Sequence, residues 1–258
     1  MSRTSVLERG LGVLPFLGLV AAWWLATHLG GVGRAVLPSP EAVWSAAGDL
    51  VARGLLGQDI LISLQRVALG TGVSIVLGVG LGTLAGLNRT LGELLMPLAS
   101  FFNSVSGIAW IPLAITWFGL GTVAVTFIIV NAIFFLIFFN TVLGVRSVPR
   151  IFEHGVRTLG GGYRELILHV FLPGALPHIM SGIRSGLGFG WRALVAAELI
   201  AATSGLGFLI YNASNFLRSD QILVGILIIG AIWMIADNLL LKPLERRTVE
   251  RWGMVRTR

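Results

Sequence analysis

Few side chains in this 258-residue sequence have the type and spacing that chemistry requires. A phosphate-binding loop needs Gly-Lys followed by Ser or Thr. The one lysine, Lys242, lies between Leu241 and Pro243, so the chain cannot be a P-loop ATPase. There is no GxSxG nucleophile turn, no carboxylate pair at useful spacing, and no HxxxH or HExxH pair among the four histidines. Cysteine is absent, which excludes disulfides and thiolate metal sites. Two groups of residues remain. Arg184, Arg192 and Glu198 sit inside an apolar run, 177–203, where charge is costly and tends to be retained for function. The stretch His154–Ile179 gathers two Arg, one Glu, three His, five Gly and two Pro within 26 residues of an otherwise apolar chain.

The elements that must position these residues follow from composition. The chain is 55% hydrophobic and 12% charged, with mean hydropathy +0.86. A soluble domain has about 25% charged residues, so this chain lacks the polar surface to cover a water-facing globule. Roughly 20 apolar residues span a hydrocarbon core about 30 Å thick. Six runs qualify as spans, near 11–30, 67–87, 95–118, 122–145, 177–203 and 221–241. The first resembles a signal peptide in having Arg3 and Arg9 ahead of it, but it is long for that role and has no clear small-x-small cleavage site.

Net charge is +7, from eighteen Arg and one Lys, and the apolar background points it to a membrane surface rather than to nucleic acid. Six crossings put Arg3, Arg9, Arg89, Arg146, Arg150, Arg157, Arg164, Lys242 and the arginines of the tail (Arg246, Arg247, Arg251, Arg256, Arg258) on one side. The other side holds Arg34, Arg53 and Arg66, offset by Glu41, Asp49 and Asp59, and Arg218 beside Asp220. The basic excess marks the cytoplasm, so both termini are expected inside and His154–Ile179 in a cytosolic loop. In the external segment, Ser39 reads as a helix N-cap with Pro40 at the first helical position and Glu41 in the first turn. Val43, Trp44, Ala47, Leu50 and Val51 then share one face of a short amphipathic helix.

Gly70, Ser74, Gly78, Gly82 and Gly86 recur every four residues in the second span, as do Gly182, Gly186 and Gly190 in the fifth. Such stripes let helices approach closely in lipid. They also account for the GxGxxA match at Gly80–Ala85, which lies mid-span with no strand before it. In the fifth span, Arg184, Trp191 and Glu198 are seven apart and drift only about 20° per step, so they are expected on one face, roughly opposite Gly182 and Gly186. That face can line a polar pathway. Alternatively, Arg184 reaches the inner surface and Glu198 the outer, since about 21 Å of helix separates them.

The loop resembles the cytoplasmic "EAA" loop of permease subunits in bacterial ABC importers. Gly160 stands at the motif's glycine, Val170 at its isoleucine and Leu172-Pro173 at its Leu-Pro, while His154-Gly155-Val156 replaces the acidic triplet. "LPSPEAVW", "SLQRVALG", "AWIPLAITWFGLG", Phe171–Asp220 and "LERRTVERW" are similar to permeases of the nitrate/sulfonate/taurine/bicarbonate family over about 37–252. The "AELIAATSGLGF" wording is nearest to taurine and sulfonate members. The stretch "NSVSGIAW" lacks the prolines that the family usually has before Ala109.

That resemblance implies an all-α polytopic protein with six transmembrane helices and a type I importer (MetI-like) permease fold. Residues 1–66 would form the first span and external segment, 67–241 the core with a coupling loop at 146–176, and 242–258 a basic cytoplasmic tail. A second permease subunit, in a homodimer, two cytoplasmic ATPase subunits that bind ATP and Mg, and an external binding protein are the implied partners, with no cofactor in this chain. The implied ATPase contact is Leu159, Gly160, Tyr163, Arg164, Glu165, Leu166, Val170, Leu172 and Pro173. The three-glycine turn Gly160–Gly162 would join two short helices, and Pro173 and Pro177 would end the second. Arg184, Trp191, Arg192 and Glu198 are the pathway candidates. A self-contained secondary transporter would instead need internal repeats and ion-coupling carboxylates, which the sequence lacks. The expected solute is small and anionic: taurine or an alkanesulfonate, with nitrate, bicarbonate and thiamine precursors as further possibilities.

Overall fold

The computed structural model describes residues 3–29, 33 and 36–245, so the tail arginines and Arg34 lie outside the described residues. The described residues form helices α1 (Arg3–His28), α2 (Pro40–Ala52), α3 (Leu55–Leu87), α4 (Arg89–Ser104), α5 (Ile111–Phe118), α6 (Thr122–Ser147), α7 (Arg150–Thr158), α8 (Tyr163–Ala201), α9 (Leu206–Asn215) and α10 (Ser219–Ala236). Beyond α10 the chain continues through a π turn, Asp237–Leu241, to Glu245.

The start of α2 is capped as its sequence dictates, with the Ser39 hydroxyl accepting from Ala42 N at 3.4 Å and Pro40 in the first turn. Glu41 accepts from Trp24 Nε1 at 3.0 Å, which ties α1 to α2. Hydrogen bonds from its own backbone N–H and from Ser39 hold the Glu41 carboxyl below the usual carboxylate range. The buried face of α2 is Val43, Ala46 and Leu50, packed near Leu206, Leu209 and Val224. Trp44 is 83% exposed and Val51 is exposed too, so the apolar face is rotated from the expected one. Tertiary packing against α9 and α10 chose the side.

The core is α6 held between two small-residue stripes. On α3, a Cβ at Gly70, Gly78, Gly82 or Gly86 would run into Ile129, Ile137, Thr141 or Val145. On α8, one at Gly182, Gly186 or Gly190 would meet Asn140 and Ile133. Small residues are required here because side-chain and backbone atoms of α6 fill the space a Cβ would need. At Gly82 the added carbon would lie 2.7 Å from Thr141 Cβ and 3.0 Å from Phe138 O, neither of which is a flexible tip. Gly82→Ala is therefore expected to cost about 1–3 kcal/mol. Gly80→Ala, in the same helix with nothing within 4 Å, is expected to be neutral or slightly stabilising. Thermal unfolding of the purified variants distinguishes the two; equal melting temperatures would refute this account of the stripe.

Four helices are long and apolar enough to cross a membrane among the described residues: α3, α6, α8 and Ser219–Leu239. The expected span 95–118 is a bent pair instead. Its helix α4 ends at Ser104, and 107–118 leaves at 87°. Val105 and Ser106 at the break are extended, and Ser-Gly there gives the helix little support. The expected first span, 11–30, falls on α1, of which Leu17–His28 is apolar among the described residues. The second span was expected from 67, but α3 begins at Leu55, so Arg66 lies well inside a helix and a division at 66/67 would cut it. Pro173 and Pro177 do not end a helix. The run Tyr163–Ala201 is continuous over 39 residues. A π turn at Ile167–Phe171 widens the ladder just before Pro173, where the ring would otherwise press on the carbonyl four residues back.

Candidate functional site

At one end of the bundle, α7 and the start of α8 project as a helical hairpin. Gly160 has φ +81°, a left-handed conformation that suits glycine, and Gly161 N donates to Val156 O at 2.9 Å to close the turn. Glu165 accepts from Gly162 N at 3.0 Å and caps the new helix, while Glu153 pairs with Arg157 at 2.9 Å. Leu159 is 89% exposed, and Tyr163, Arg164 and Glu165 are exposed beside it. Leu166 is buried, so it supports the hairpin rather than lying on its surface. Val170 and Pro173 line an apolar groove of about 510 Å³ with Val148, Pro149 and Phe152, and Leu172 packs at the foot of α8 near Val145 and Ala175. Ile151 and Phe152 on α7 are exposed apolar residues of the same projecting patch, and they lie ahead of the motif in the sequence.

At the opposite end, α8 meets α3 and α9 in a buried polar cluster. Arg66 and Glu198 are 1% and 0% exposed and pair at 2.8 Å. Arg66 also donates to Ser204 O at 2.6 Å, Ser204 Oγ at 3.3 Å and Thr122 Oγ1 at 3.3 Å. Ser63 Oγ donates to the Glu198 carboxylate at 2.8 Å and accepts from Leu206 N at 2.9 Å. Gly207 N donates to Glu198 at 2.9 Å, and Gly205 N to Asp59 at 2.7 Å. The three N–H groups that open α9, which no helical carbonyl can satisfy, are thus taken by Asp59, Ser63 and Glu198. Gly205 has φ +107°, and a Cβ there would strike the Glu198 carboxylate.

This geometry corrects the expectation of one polar face on α8. Glu198 is inside the clamp, and Trp191 is buried and stacked on Trp233 at 6.1 Å, with no hydrogen-bond partner for its Nε1 among the described residues. Arg184 is 37% exposed and 3.6 Å from Asp237, which also contacts Lys242 at 3.2 Å. The row of seven winds into the subunit instead of staying opposite the glycines. The exposed edge of α8 carries Ser181, Ser185, Phe189, Arg192 and Ile200, and of the four pathway candidates only Arg192 lies on it.

The chain as a whole is similar to known proteins. A sequence model described as "Binding-protein-dependent transport system inner membrane component" matches residues 74–249. The chain belongs to this family. It is 35% identical to the taurine transport system permease TauC of Escherichia coli over 242 residues, 92% of this chain and 88% of that protein. It is 39% identical to the putative aliphatic sulfonates permease SsuC of Escherichia coli, covering 91% and 90%. Similarity to the bicarbonate transport permease CmpB of Synechococcus elongatus is 34%, covering 72% and 67%. The MetNI methionine ABC transporter, in an inward-facing form, shares the fold with TM-score 0.58 at 16% identity, over 80% of this chain and 98% of that one. The chain is thus an inner-membrane permease subunit of an ABC importer, whose family works with a separate ATPase and a substrate-binding protein.

Within the permease, Asp59, Ser63, Arg66, Thr122, Ser204, Gly205 and Gly207 form the site that sequence reading missed. A signal existed. Arg66 and Glu198 are charges of opposite sign, each embedded in an apolar helix, and such residues usually pair with one another.

Proposed function

We propose that two copies of this permease enclose the translocation pathway for a small organic anion, a taurine- or alkanesulfonate-like solute. The observation that carries this reading is similarity over about nine-tenths of the chain to permeases named for taurine and aliphatic sulfonates. The bicarbonate relative matches over a shorter part, which makes bicarbonate the second candidate solute. The α7–α8 hairpin, 146–176, is cytoplasmic in this proposal and receives the ATPase through Leu159, Tyr163 and the α7 residues Ile151 and Phe152. Its basic residues Arg146, Arg150, Arg157 and Arg164 support that orientation. The Arg66–Glu198 end then faces the binding protein, and both termini lie in the cytoplasm.

The test is reconstitution of the permease with its ATPase and binding protein in liposomes. ATP-dependent uptake of taurine or a short alkanesulfonate is expected, with bicarbonate, nitrate and a thiamine precursor as comparison solutes. Uptake of only solutes that carry no anionic headgroup would overturn the assignment. A reporter enzyme fused at the C-terminus is expected to read as cytoplasmic, and an external reading would reverse the orientation.

A further inference from the structure

We propose that Arg192 is the anion-recognition residue inside the pathway, and that it receives the sulfonate or carboxylate headgroup in the recess between α8 and α10. This inference rests on the proposed anion pathway. Arg192 lies nine residues before the end of α8, about 14 Å along the axis, near the middle of the apolar run 177–203. Its side chain is exposed and forms no hydrogen bond or ion pair with any described residue. The guanidinium instead lies 5.8 Å from the centre of the Phe189 ring, one turn back toward the helix N-terminus. Side chains on a helix lean that way, so the charge points away from the nearer end of α8 and does not reach up to that surface. An arginine held at this depth on a lipid-facing surface is strongly unfavourable, so the exposed edge of α8 must face water or protein.

The surroundings fit an anion. The recess, about 280 Å³, is lined by Arg192, Ser185, Phe189 and Trp233, with Arg184 and Asp237 at its other end. Asp237 is the carboxylate there, and it is already engaged by Arg184 and Lys242. The recess therefore keeps a cationic excess at Arg192. A guanidinium offers several N–H donors to two oxygens of one anionic headgroup, and the Ser185 hydroxyl adds another donor. The Phe189 and Trp233 rings supply an apolar wall for a short alkyl chain.

The chain has no cysteine, which makes a direct test available in the complete transporter. Ser185→Cys in the assembled complex is treated with a sulfonate-bearing methanethiosulfonate and with its quaternary-ammonium counterpart, each rate normalised to free cysteine. The anionic reagent is expected to be favoured by about tenfold, the scale of one unit charge several ångströms away at intermediate dielectric. Adding Arg192→Gln is expected to remove that preference without blocking modification. A cysteine that neither reagent reaches would put this edge in lipid or a sealed seam and overturn the proposal. So would a preference unchanged by Arg192→Gln.

Uptake separates this proposal from the one beneath it. If the wild-type complex imports a sulfonate, Arg192→Gln is expected to cut the maximal rate by about tenfold, a loss of about 1.4 kcal/mol of transition-state stabilisation, with unchanged affinity of the binding protein and unchanged melting temperature. Arg192→Lys is expected to recover part of the rate, because the charge is kept and the fork is lost. Wild-type uptake with a fully active Arg192→Gln sinks the Arg192 site alone. Absence of any anion uptake by the wild type sinks the pathway proposal.

Discussion

Glu198→Leu and Arg66→Met are each expected to abolish recovery of a stable permease, whereas the two together are expected to restore part of it. Both charged groups are out of contact with solvent and 2.8 Å apart. Removing one leaves the other buried without compensation, which typically costs about 3–5 kcal/mol. Replacing both removes two desolvated charges at once, and such exchanges are often neutral in themselves. Here recovery stays incomplete, because Gly207 N would lose Glu198 and Ser204 O would lose Arg66. Each buried backbone group left unpaired costs about 1–3 kcal/mol. Glu198→Gln is the milder change. The amide keeps an acceptor for Ser63 or Gly207 but gives up the charge that Arg66 faces. Melting temperatures of the purified complexes give the four values of a double-mutant cycle. Single variants as stable as the wild type, or a double variant whose loss equals the sum of the two, would show that the pair is not the clamp described.

The bulk of the fold was legible because lipid imposes few solutions. Long apolar runs gave helices, and four-residue spacing of Gly70 to Gly86 and of Gly182 to Gly190 marked the faces that meet α6. The Ser39 cap and the glycine turn at 160 were readable for the same local reason, since each answers a backbone requirement within a few residues. Long-range pairing was not. Arg66 and Glu198 are 132 residues apart, and hydropathy placed Arg66 outside its span because the polar residues Gln58, Asp59 and Gln65 lower the average where α3 begins. Periodicity told which residues share a line on α8, but not which line faces α3, α6 or open space. Trp191 and Glu198 were misplaced for that reason, and Leu166, taken for a surface residue, turned inward. Proline misled too. Pro173 and Pro177 read as helix ends, yet a π turn carries the helix through the first and α8 runs on past the second.

Gly160→Asp is expected to leave the permease folded and inserted but to reduce coupled transport by at least about tenfold. Within the subunit the glycine has nothing within 4 Å of a new Cβ, so added bulk meets no neighbour. Its φ of +81° is strained for most residues, although Asp is among the side chains that enter this region most readily. The fold therefore survives at modest cost, and the damage falls on whatever docks against the turn. Leu159 and Tyr163 expose apolar surface on either side of it, so a carboxylate at 160 would be buried unpaired in the proposed ATPase contact, at several kcal/mol. The continuous α8 explains why this should stop transport. One end of that helix is the hairpin at Tyr163, and the other is fixed by Glu198 to α3 and α9, so in the proposed coupling a displacement of the hairpin would be carried along one unbroken helix toward the clamp. Gly160→Asn separates charge from conformation, since it accepts the same backbone and carries no charge; a smaller loss is expected. The measurements are ATPase co-purification and binding-protein-stimulated hydrolysis in liposomes, with the permease's melting temperature as control. Normal co-purification together with normal stimulated hydrolysis and uptake in Gly160→Asp would show that force does not enter the permease through this hairpin.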